Sequence, residues 1–113
     1  MAVISFSKKP ENIWVVAGWA FRQVLDDTLS QHHDDLEMAR EFEEAKYIPG
    51  LILYLLEPVF AKRITQAIRR AAVGILSGEI KSGIVNQPFG DATAIEQYHK
   101  GLQELLDAIP PDS

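Results

Sequence analysis

No cysteine occurs among the 113 residues. That excludes disulfides, thiolate catalysis and cysteine-based zinc sites, and it leaves stability to packing alone. The same absence fits a cytoplasmic protein. Long apolar runs are missing too. The most apolar stretch, from Ile48 to Ala61, carries Glu57 and Pro58 and is too short and too interrupted to cross a bilayer. The opening MAVISFSKKP lacks a basic start followed by a long apolar core, so no signal peptide is expected. There is no internal repeat, no low-complexity tract, no phosphate-cradling glycine loop, no GxSxG elbow and no dinucleotide fingerprint. Positive charge is in the minority: 11 Lys and Arg stand against 16 Asp and Glu, a formal net charge of -5. Such a chain is repelled by phosphate backbones at long range, which disfavours nucleic acid and favours a cationic protein partner.

What remains is an ordinary globular mixture, 47% hydrophobic and 24% charged, of a length suited to a single domain over residues 1–113. Apolar periodicity predicts an all-α fold, a compact bundle of four to five helices with one irregular loop or small hairpin near residues 77–90. Val3–Ser7 reads as a short strand or an extended arm. A first helix is expected from Pro10 to Ser30, because Ile13, Ala17, Ala20 and Val24 fall in line at the helical angle. A second is expected from Asp34, as N-cap with Glu37 three residues on, to Tyr47, with Met38, Phe42 and Ala45 as its stripe. Pro49-Gly50 breaks the chain before the apolar segment Leu51–Leu56. Pro58 then either kinks one long helix or opens a new one. From there to Leu76, Phe60, Ile64, Ala67, Ile68, Ala71 and Ile75 make an inner face, and Lys62, Arg63, Gln66, Arg69 and Arg70 an outer one. The last helix is expected to open on the capping box Thr93-Ala94-Ile95-Glu96 and to bury Ile95, Tyr98, Leu102, Leu105, Leu106 and Ile109 before Pro110-Pro111 stops it.

Chemistry-bearing clusters are few. His32-His33-Asp34-Asp35 holds ligand types suited to zinc, but adjacent residues rarely converge on one centre and no HxxxH or ExxH spacing accompanies them. The cluster reads as a polar turn, so no metal site is expected. His99 lies between Ile95 and Leu102 and reads as a core-edge histidine, with no nucleophile or orienting carboxylate to make it a base. No catalytic residue and no cofactor are expected, and the chain does not read as an enzyme.

Charge distribution says more. Asp26 to Glu44 holds eight carboxylates against one cation, Arg40, a formal -7. Pro58 to Lys81 holds five cations against Glu79, a formal +4. The basic section is expected to neutralise acidic groups of the same molecule, and the acidic section to dock a cationic partner. Trp19, with Val15 one turn away, falls in the polar arc of the first helix. It is either an interface anchor or a residue covered by the N-terminal arm or the 77–90 loop.

In general character (small, acidic, helical, without cysteine or a catalytic constellation) the chain is similar to bacterial immunity proteins and other small inhibitors, which neutralise a toxin by covering it with an acidic surface. The resemblance implies a protein-binding, neutralising role, with a contact surface expected at Trp19, Asp26, Asp27, Asp34, Asp35, Glu37, Glu41 and Glu44. The alternative is a homo-oligomeric helical scaffold or adaptor whose acidic and basic faces pair between copies.

Overall fold

The computed structural model describes residues 1–47 and 49–111, which leaves Ile48 outside the described residues. Among the described residues, four α-helices pack with a three-stranded sheet, so the fold is mixed α and β with helix dominant. This overturns the all-α expectation. Strand β1 (Ala2–Ser5) lies in the middle, β2 (Ile13–Val16) pairs with it antiparallel, and β3 (Gly50–Ile52) pairs with it parallel on the other side.

The main correction falls on residues 10–17, expected to be helical. Pro10–Asn12 forms one 3-10 turn, and Ile13-Trp14-Val15-Val16 is a strand. The physical reason is local. Three of these four residues are β-branched and the fourth is aromatic, types that lose side-chain freedom on a helix and pack well on a pleated surface. The helical line through Ile13 and Ala17 therefore joined a strand residue to the residue that precedes the first helix. That helix, α1, covers only Gly18–Ser30. Asn12 holds the turn in place. Its side chain donates to the Ala108 carbonyl at 2.9 Å, and its carbonyl accepts from the Phe6 N–H at 2.9 Å.

Residues directly opposite each other in neighbouring strands point to the same side of a sheet. Ile4 faces Trp14 on one neighbour and Leu51 on the other, and all three are buried. Their side of the sheet meets the helices. Trp14 also donates its indole N–H to the Gly101 carbonyl at 3.0 Å, which ties the sheet to the last helix across 87 residues. The other side carries Val3 opposite Val15 and Gly50, and Ser5 opposite Ile13 and Ile52.

The remaining helices follow the expected apolar stripes more closely than the expected starts. Helix α2 (Leu36–Tyr47) buries Met38, Phe42 and Ala45. Its cap is Asp35 rather than Asp34, because the Asp35 carboxylate accepts from the Met38 N–H at 3.1 Å. After β3, a 3-10 turn occupies Leu53–Leu55, so of the two alternatives at Pro58 the single kinked helix does not form. Pro58 opens α3 (Pro58–Ser77), and the Glu57 carboxylate caps it through the Val59 and Phe60 N–H groups. Ile64, Ala67, Ile68, Ala71 and Ile75 are buried as expected, while Phe60 is half-buried. Gly78 ends the helix at φ 86°, a left-handed conformation that a side chain resists. Helix α4 (Ala92–Ala108) starts on Asp91, two residues before the expected Thr93, with the Asp91 carboxylate accepting from the Ala94 N–H at 2.9 Å. Between α3 and α4 the chain is irregular apart from a 3-10 turn at Gly83–Asn86, and no strand forms there. No helix among the described residues is long and apolar enough to cross a membrane.

Candidate functional site

Asp27, expected on the contact surface, is inside the protein at 3% exposure. Its carboxylate collects four donors. Gln23 Nε2 and the Gly83 N–H donate to Oδ1 at 3.0 and 2.9 Å, and Ser82 Oγ and Tyr98 Oη donate to Oδ2 at 2.5 and 2.7 Å. A carboxylate accepts at both oxygens, so this arrangement satisfies it without a cation. The effect is to pin the irregular segment after α3 to both α1 and α4. Asp27 thus belongs to the frame and takes no part in an exposed surface.

Tyr98 shares that site. Burial first, and the neighbouring Asp27 carboxylate second, push its phenol well above the ordinary value near 10. The folded chain therefore keeps the phenol proton where the unfolded chain releases it. Tyr98 contributes its full stabilisation below about pH 10 and loses it progressively as pH rises further. We expect the wild-type protein to lose about 1.4 kcal/mol more per pH unit than Tyr98→Phe above about pH 10. Urea denaturation across pH 8–11.5 reads this directly, and equal slopes for the two proteins would refute it.

Trp19 sits in the first turn of α1, half-buried, with its ring 5.5 Å from Phe89 and 6.4 Å from Tyr98. Phe89 of the irregular segment packs against the Trp19 ring, which stays half-buried and accessible. Phe89 is itself 43% exposed and shares the borders of two shallow clefts with Trp19. The turn that presents Phe89 needs Gly90, where a Cβ would collide with the Ile84 carbonyl oxygen. Val15, expected one helical turn from Trp19, lies instead on the outer side of the sheet at 53% exposure.

The acidic section divides into paired and unpaired groups. Asp26 binds Lys46 at 2.6 Å. Asp35 and Glu37 both bind Arg63 of α3, at 3.2 and 2.5 Å, so part of the basic section does neutralise the acidic one. The Arg63 guanidinium also lies 4.8 Å from the Phe60 ring. Asp34 and Glu44 are exposed and Glu41 is half-buried, and none of the three joins an ion pair among the described residues. Burial first, and Glu44 second, raise the Glu41 carboxyl above the usual carboxylate range. Two like charges without a cation between them form a spot that an incoming positive group would relieve.

Three more carboxylates were not anticipated as a group. Glu11, Glu104 and Asp107 border one groove with Ile13 and Val15. Glu104 and Asp107 are three apart on α4, a spacing that places them on one helical face. Their proximity to Glu11 arises only because residues 10–16 leave the helical path. His32 is half-buried and His33 exposed, and no group of three or more potential ligands for a metal ion exists among the described residues. No family model, no curated protein and no solved structure matches the chain.

Proposed function

We propose that this is a cytoplasmic, non-catalytic protein that binds and neutralises a cationic protein partner, in the manner of an immunity protein directed at a basic toxin. The observation that carries the reading is the unpaired acidic surface of α2. Glu41, Glu43 and Glu44 enter no ion pair among the described residues: Arg63 and Lys46 are engaged with other carboxylates, and Arg40, the one cation within the acidic section, pairs with none of them. Exposed charge of one sign accelerates encounter with the opposite sign and discriminates against like-charged proteins. The organisation of the inside supports the same reading. Among the described residues every buried side-chain nitrogen and oxygen has a hydrogen-bond partner, so the interior forms a settled frame behind the charged surface.

Partner capture at low salt followed by binding kinetics tests this. Changing Glu41, Glu43 and Glu44 together to lysine should slow association about 10-fold or more and change dissociation less. Raising the salt should weaken wild-type binding, because exposed charges beyond about 8 Å are screened at physiological ionic strength. A protein that self-associates in solution, and loses both self-association and partner binding on reversal of Lys62 and Arg70, would replace this reading with the oligomeric scaffold.

A further inference from the structure

The outer side of the sheet is apolar, while the margins on both sides of it are acidic. Val15 is 53% exposed, and Val3, Ile13 and Ile52 are half-buried beside it. All four are β-branched, and strand pairing places them on one surface. Gly50, opposite Val3, contributes no side chain, so the floor drops away there into a groove of about 430 Å³. Glu41 and Glu44 of α2 wall that groove. Beyond β2 a second groove of about 340 Å³ holds Ile13 and Val15 together with Glu11, Glu104 and Asp107. The opposed pair Val3 and Val15 joins the two grooves into one surface.

We propose that this surface docks a cationic amphipathic helix of a partner protein, its apolar stripe across Val3 and Val15 and its flanking lysines or arginines against the carboxylates on either side. The proposal rests on the reading of the chain as a binder of a cationic protein. Dimensions favour a helix. Strands lie about 4.8 Å apart, so β2 and β3 are separated by about 10 Å, and a helix with its side chains is about 10–12 Å across. Layering favours it as well. Here the helices bury the side that carries Ile4, Trp14 and Leu51, and the β-branched residues of the other side are the face that a second layer would cover. Charge argues against a second copy related by a two-fold axis. Such a copy would bring acidic margins against acidic margins, and like charges facing each other across an interface are repulsive.

The probe is a synthetic 18-residue helix with a leucine stripe bordered by lysine on both sides, titrated into the isotopically labelled full chain. Amide shifts should concentrate at Val3, Ile13, Val15 and Ile52. Val15→Lys, and separately the pair Glu104→Lys with Asp107→Lys, should each weaken binding about five-fold or more. Leu55→Ser, at another exposed apolar residue, should leave binding unchanged. The same helix with glutamate in place of lysine should not bind. Melting curves for each variant separate lost binding from lost folding.

Shifts confined to α2, or an affinity unchanged in Val15→Lys, would overturn sheet docking and leave the acidic-binder reading standing. Docking of the probe on the sheet, combined with a captured partner indifferent to the α2 reversals, would do the opposite. Sedimentation showing a dimer that Val15→Lys dissociates would overturn the proposal in favour of a second copy.

Discussion

Asp27→Ala should destabilise the protein by about 3–5 kcal/mol, the range expected when a buried group is removed and its partners are left without an acceptor. Four donors lose their acceptor at once: the Gln23 amide, the Ser82 hydroxyl, the Gly83 N–H and the Tyr98 phenol. Asp27→Asn keeps the shape but turns an NH2 group toward donors, and should cost about 2–3 kcal/mol. Urea denaturation checks both values. Trp19 fluorescence in the native baseline supplies a second readout, because Phe89 is carried by the segment that Asp27 secures. A loss below about 1 kcal/mol for the alanine variant would show that this segment is held by something else. The result bears on function, because any loss of partner binding in an Asp27 variant reports on the frame rather than on a contact.

The second large effect is expected at Trp14. Its side chain is 3% exposed, packs on the helix side of the sheet and donates to the Gly101 carbonyl. Trp14→Ala removes a large buried ring and its hydrogen bond, and should cost about 3–5 kcal/mol. Trp14→Phe retains much of the ring and should cost about 1–2 kcal/mol, chiefly from the unpaired carbonyl and the residual void. Thermal and chemical denaturation of the two variants give the comparison. If both lose the same amount, the hydrogen bond rather than the ring holds sheet and α4 together.

Helical stripes were legible in the sequence because their period is carried by many residues. Met38, Phe42 and Ala45 of α2 are buried as their spacing demanded, as are Tyr98, Leu102 and Leu105 of α4 and Ile109 just past its end, while Ile95 and Leu106 of the expected stripe are only half-buried. The sheet was illegible for the opposite reason. Its strands are three or four residues long, too short to establish an alternating period against a helical one. In β2 the apolar residues run without interruption, which suits a strand covered on one side and half-covered on the other, yet also fits a buried helical turn. Two caps were displaced by one or two residues because several acidic or hydroxyl side chains compete for the same N–H groups, as Asp34 with Asp35 and Asp91 with Thr93.

The candidate surface divided along the same line. The surplus of negative charge could be counted directly, and Glu41 and Glu44 do remain unpaired among the described residues. Counting could not show that Arg63 reaches back to Asp35 and Glu37, because that contact depends on how α2 and α3 pack. Nor could it distinguish Asp26 from Asp27. On α1 a single residue step of about 100° turns the side chain from solvent to core.

The bond from Trp14 to Gly101 also sets a clock on synthesis. The two residues are 87 positions apart, and a ribosome adds about 5–20 residues per second, so about 4–17 seconds pass between their appearances. During that interval β1 and β2 can already pair as a hairpin, while the closing helix is still unmade. The side of the hairpin bearing Ile4 and Trp14 is then wet and adhesive, and the nascent chain is most exposed to aggregation in this window. Slowing translation between β2 and α4 should lower the yield of native protein, and a chaperone that shields short apolar hairpins should restore it.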